Sequence, residues 1–97
     1  MNTIHRFNIQ HLVGENKIAM SPEHKLLNVA MHPQGVPTLY AIVDPEVPKD
    51  AVVTVRGIMT GEYFDEKAEN IGQFLGTVIL GGGFVVHYFL VDYDVSI

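Results

Sequence analysis

Side chains that carry chemistry are sparse and scattered in this chain. It holds five histidines and no cysteine, so thiolate nucleophiles, disulfides and thiolate metal sites are excluded. His5, His11, His24, His32 and His87 show neither H-x-H nor H-E-x-x-H spacing, so no two are set to grip one ion from a single strand or helix face. The two serines are Ser21, just before a proline, and Ser96, next to the last residue. Neither lies in the G-x-S-x-G turn that exposes a nucleophilic hydroxyl. A carboxylate pair could be drawn from Asp44, Glu46 and Asp50, but these crowd a loop with two prolines and read as solvated turn residues. No catalytic residue, metal ligand or cofactor site emerges, and the chain reads as a non-enzyme.

The loudest stretch, QFLGTVILGGGFVVHYFLVD at residues 73–92, sets three glycines beside a histidine. Glycine loops that cradle phosphate lead from a strand into a helix N-terminus, whose free amides meet the anion. These glycines lead instead into FVVHYFLV, a β-branched and aromatic run. Gly81, Gly82 and Gly83 therefore predict a hairpin turn, because glycine supplies the positive φ such turns need. On the following strand His87 shares a face with Val85, Phe89 and Val91, opposite Val86, Tyr88 and Leu90. A lone histidine there reads as a packed or hydrogen-bonded core residue.

The elements that would position these residues are β-type almost throughout. Residues 3–9 alternate, with His5, Phe7 and Ile9 on one face. Gly14, Glu15 and Asn16 mark a turn before a short strand at residues 18–20, and residues 21–24 break it. Residues 26–32 place Leu27, Val29 and Met31 together, and residues 38–44 place Leu39, Ala41 and Val43 together, with Pro33-Gln34-Gly35 between them. That is a hairpin. Residues 44–50 form a proline-bearing loop, residues 51–59 the next strand, and residues 65–70 are long enough for one helical turn. No apolar stripe of helical period runs for ten residues. The expected fold is all-β: one domain over residues 1–97, a small antiparallel sandwich or barrel of six to seven short strands.

Charge limits the partners. Eleven acids against six bases give a net charge of −5, which repels phosphate backbones and argues against sequence-independent nucleic-acid binding, so no direct nucleic-acid binding is expected. The same balance suits a basic protein surface or simple solubility. The N-terminus alternates polar and apolar residues, and no apolar run nears the roughly 20 residues that span a bilayer. No membrane role and a cytoplasmic location, that of a host cell, are expected.

Two segments are candidate contact surfaces. EYFDEKAEN, residues 62–70, joins Tyr63 and Phe64 to Asp65 and Glu66, the composition of an interface hot spot aimed at a basic partner. The competing expectation is that both rings fold back to cap the sandwich edge. VDYDVSI, residues 91–97, alternates Val91, Tyr93 and Val95 with Asp92, Asp94 and Ser96. Such an end strand pairs within its own sheet or adds to another copy, and here it is expected to make a homo-oligomer contact.

Three segments, MNTIHRFNI, VPTLYAIVDPEVP and FLGTVILGGGFVVHYF, resemble a family of small bacteriophage and prophage proteins classed as a domain of unknown function. Its members resemble M-x-T-I-x-K-F at the start, W-A-L-V-D-P at the centre and Y-I-G-T-V-x-x-x-G-G-x-L-V-F-H-V-F at the end. The likeness reaches nearly to Leu90, beyond which residues 91–97 read as an extension. The family's central Gly-Thr-Gly-His is replaced here by Arg56-Gly57-Ile58-Met59-Thr60-Gly61. The resemblance brings no catalytic residues. It implies a phage or mobile-element accessory protein that binds and inhibits a host protein, such as a component of host defence. Two other roles stand beside it: an oligomeric sponge for a small signalling nucleotide, and a structural or assembly protein of the phage.

Overall fold

The computed structural model describes residues 1–95; Ser96 and the end of the 91–97 segment lie outside the described residues. Among the described residues seven strands run in chain order: β1 Thr3–Asn8, β2 Gly14–Met20, β3 His24–Met31, β4 Pro37–Val43, β5 Ala51–Met59, β6 Gln73–Ile79 and β7 Val85–Val95. They form two antiparallel sheets, β1-β4-β3 and β2-β5-β7-β6. The expected all-β sandwich is therefore the fold, and the two separate sheets decide against a closed barrel. Their facing sides meet in one core of Leu26, Val29, Leu39, Ala41, Val43, Val53, Val55, Leu75, Val78, Val86 and Tyr88, with Ile9 and Met20. Burial of this aliphatic surface drives the sheets together.

Both expected hairpins are present. β3 pairs with β4, and β6 with β7. The glycine turn between the latter has φ of +82° at Gly82 and Gly83, a conformation only glycine adopts cheaply. It is closed by the Leu80 amide donating to the Phe84 carbonyl at 2.7 Å.

Three local expectations are corrected. Gly14, Glu15 and Asn16 are strand residues, paired with Gly57, Arg56 and Val55. The chain reverses just upstream, where the buried Asn16 side chain accepts from the Gln10 and His11 amides and donates to the His11 carbonyl. Asparagine's turn-making chemistry thus acts backwards from a strand. A β-bulge between Leu26 and Asn28 shifts the phase of β3, so Leu26 is buried and Leu27 is exposed. The helical turn expected over residues 65–70 shrinks to a 3-10 turn at Ala68–Asn70, because nothing packs on it.

The sheets do not meet evenly. β3 lies against β6, and a Cβ built on Gly76 would fall 2.2 Å from the Val29 carbonyl oxygen. Among the described residues no such approach joins β1 to β2, which stand on either side of a cleft of about 770 Å³. The sandwich is closed along one side and open along the other.

Candidate functional site

The outer face of the four-stranded sheet carries a loop, residues 60–72, whose attachments decide which side chains it presents. His87 stands on this face opposite Ile58. Its Nε2 lies 2.7 Å from Thr60 Oγ1 and its Nδ1 lies 2.9 Å from Thr77 Oγ1. A hydroxyl donates or accepts as needed, so the ring can be satisfied at both nitrogens. His87 is hydrogen-bonded as expected, but it lies outside the inter-sheet core and ties the loop's first residue to β6 and β7.

A second attachment follows. The Glu62 carboxylate accepts from the Met59 amide at 3.1 Å, and the Met59 carbonyl accepts from the Glu62 amide at 3.0 Å. Further along, Arg56 of β5 donates to Glu66 Oε1 at 2.6 Å and lies 5.9 Å from the centre of the Phe64 ring. The guanidinium holds the Glu66 carboxyl below its usual range, aided by a backbone hydrogen bond. Arg56 thus grips the loop through a charge-assisted hydrogen bond and a cation–π contact.

Tyr63, Phe64, Asp65 and Glu66 consequently part company. Glu66 is spoken for by Arg56, and Phe64 shares that cation while remaining partly exposed. Asp65 faces solvent, and Tyr63 is 98% exposed. An isolated tyrosine so exposed, on a loop tied on both flanks, is a presented ring rather than an edge cap. Beneath the loop lies a cavity of about 360 Å³ lined by Lys17, Arg56, Glu66, Asn70, Ile71 and Asp92 among others. Its mixed charges favour no single ion.

Residues 91–95 continue β7 without interruption. Val95 faces Ala51 and Tyr93 faces Val53, while Val91 is the extra residue of a bulge opposite Thr54 and Val55. The Tyr93 hydroxyl donates to the Pro22 carbonyl at 2.9 Å, and its ring packs 5.0 Å from that of His24. This stretch therefore pairs within its own sheet on one side. On the other side β6 begins opposite Leu90, so among the described residues no strand pairs with residues 91–95 there. There the Tyr93 amide is taken by the Asp92 carboxylate at 2.8 Å.

Among the described residues no three His, Asp or Glu side chains converge as a metal site. The Tyr88 hydroxyl, pushed up to about 12 by burial, donates to the Leu12 carbonyl at 2.8 Å and so braces the β1–β2 connection. Sequence reasoning missed Arg56, Thr60 and Thr77. One signal could have found the first: Arg56 is the lone charge in AVVTVRGIM, and a charge embedded in an apolar strand calls for a partner.

The chain matches the family model described as Domain of unknown function (DUF7352) over residues 1–95 and belongs to that family. The match takes in Val91–Val95, so these residues are part of the family domain. No curated protein and no solved structure matched.

Proposed function

We propose that this protein is a non-catalytic binder that docks on a protein partner through the loop led by Tyr63 and inhibits it. The setting we propose is a phage or mobile element acting in the cytoplasm of its host, a reading that rests on the likeness of the three segments noted above. The observation that carries the binding role is the 98% exposure of Tyr63 on a loop pinned at Thr60, Glu62, Phe64 and Glu66. Pinning matters because a preordered anchor loses little entropy on docking. Asp65 and Glu69, both exposed, favour a basic surface around the ring's pocket.

The test is capture from infected host lysate by the wild type and by Tyr63→Ala and Phe64→Ala, with mass spectrometry of small molecules released on denaturation. Loss of a buried aromatic anchor weakens binding by about 2 kcal/mol, roughly thirtyfold. Retention of the same partner by both variants would refute the assignment.

We also propose that copies associate through the edge of residues 91–95 that β6 does not reach. A two-fold pairing centred on Tyr93 sets Asp92 against Asp94 of the other copy, so four carboxylates gather on one face and oppose the contact. The association is therefore strengthened by salt.

A further inference from the structure

We propose that the open side of the sandwich, between β1 and β2, receives an extended peptide segment of a partner protein, paired main chain to main chain and carrying acidic residues. The composition of the cleft wall supports this. Its lining includes Arg6, Phe7 and Asn8 in succession from β1, and five consecutive residues from Glu15 to Ala19 of β2. Side chains of a strand alternate between two faces, so a wall made by a strand's face contributes every second residue. A wall of consecutive residues is a strand's edge. Among the described residues β1 pairs only with β4, and β2 only with β5, so the edges lining the cleft carry unused amides and carbonyls. Such rows bind an added strand. The volume, about 770 Å³, lies in the range of ligand sites.

The side chains state what sequence the strand should have. Phe7 and Ile18 sit at the margin of the core, half-buried, opposite Leu39 and Val53. Arg6 and Lys17, one residue before each, are exposed at the rims. An inserted strand thus meets apolar surface with one set of alternate residues and cations with the other. The lining holds two cations, Arg6 and Lys17, together with His11 and one acid, Glu15, on a chain whose net charge is −5. It is a positive lip on a negative molecule. Arg6 also meets His32 Nε2 at 2.5 Å, which holds the guanidinium in place while leaving further donors. Beyond Phe7 the cleft gives way to a pit of about 60 Å³ lined by Met20, Val43 and Val47, room for one small apolar anchor. A second copy fits less well, because two-fold pairing of β2 centred on Lys17 would set like charges face to face.

The experiment follows amide exchange by NMR with three heptapeptides: alternating Val and Asp, alternating Val and Lys, and the acidic one N-methylated at alternate amides so that one edge cannot pair. ATP serves as an anion without a strand. The acidic peptide is expected to slow exchange within residues 6–8 and 15–19 and to bind at least tenfold tighter than the other two. Arg6→Glu with Lys17→Glu should reverse the preference for charge, while Tyr63→Ala should leave it unchanged. The proposal is overturned if no peptide protects these amides, if both charges bind alike, or if methylation has no effect. It also fails if ATP protects them equally, or if the amides of residues 6–8 and 15–19 are already protected by association of the free chain, as a loss of that protection on dilution would show.

Discussion

Replacing Gly76 by alanine should be among the costlier single methyl additions to this protein, because it strikes the seam between the two sheets. The new Cβ would lie 2.2 Å from the Val29 carbonyl oxygen and 3.2 Å from its carbonyl carbon, whereas carbon and oxygen come no closer than roughly 3.3 Å. About 1 Å of overlap has to be relieved, and no rotamer can help because both parties are main chain. β6 must lift off β3 and loosen the seam where Leu75 and Val78 face Leu26 and Val29. Overpacking of this kind costs about 1–3 kcal/mol. The φ of +153° at Gly76 adds about 1–2 kcal/mol for any residue with a side chain. Reduced freedom of the unfolded chain returns less than about 1 kcal/mol. The net loss is about 1–5 kcal/mol, a large share of the roughly 5–15 kcal/mol that holds a domain of this size. Urea unfolding followed by circular dichroism measures it. Gly81→Ala is the control, since nothing lies within 4 Å of its Cβ and its φ is unstrained. A loss under about 1 kcal/mol, or one equal to the control's, would refute the close approach of the sheets.

Three further outcomes are expected. Tyr88, held near 12 when folded, ionises near 10 when unfolded, so its contribution is complete below about pH 10 and is lost as pH rises toward 12. Tyr88→Phe should remove the last step of a spectrophotometric tyrosine titration and cost about 1–2 kcal/mol by stranding the Leu12 carbonyl; an unchanged titration would contradict the burial. Glu66, whose folded pKa is depressed by Arg56, supports the loop above the ordinary carboxylate value of about 4.3 and loses that support as pH falls through the depressed one. Loop amide shifts should follow the Glu66 titration and cease to do so in Glu66→Gln; the same acid response in both proteins would exclude the ion pair as the latch. Asp92→Asn with Asp94→Asn should raise the dimer fraction seen by light scattering at low salt, and a monomer under all conditions would refute pairing through residues 91–95.

The strands were legible wherever alternation was uninterrupted. β4 buries Leu39, Ala41 and Val43 as its pattern requires, and β5 spans the residues expected of it. Legibility failed at the bulges between Leu26 and Asn28, Thr54 and Val55, and Phe74 and Gly76, because one extra residue reverses the phase without any local mark. Glycine at position 76 was a hint, though it could as well have ended the strand. In the candidate site the aromatic and acidic composition was visible at once. The division of labour within it was not, since Tyr63 is exposed and Glu66 is consumed only because β5 places Arg56 underneath. Pairing between an arginine on a strand and a glutamate on the following loop depends on the path of the loop, which composition does not encode.

The open side of the sandwich also has a history in time. β3 and β4 are joined by a short turn, as are β6 and β7, so these hairpins close early and at small entropic cost. β1 must wait for β4, pairing Thr3 with Val43, and β2 must wait for β5, pairing Gly14 with Gly57. Both walls of the cleft are therefore latecomers, fastened along one edge each, and β1 adds only the half-buried Phe7 to the core. Contacts made last and anchored least are the first released in partial unfolding. A strand that filled the cleft would fasten these two late-pairing strands to one another.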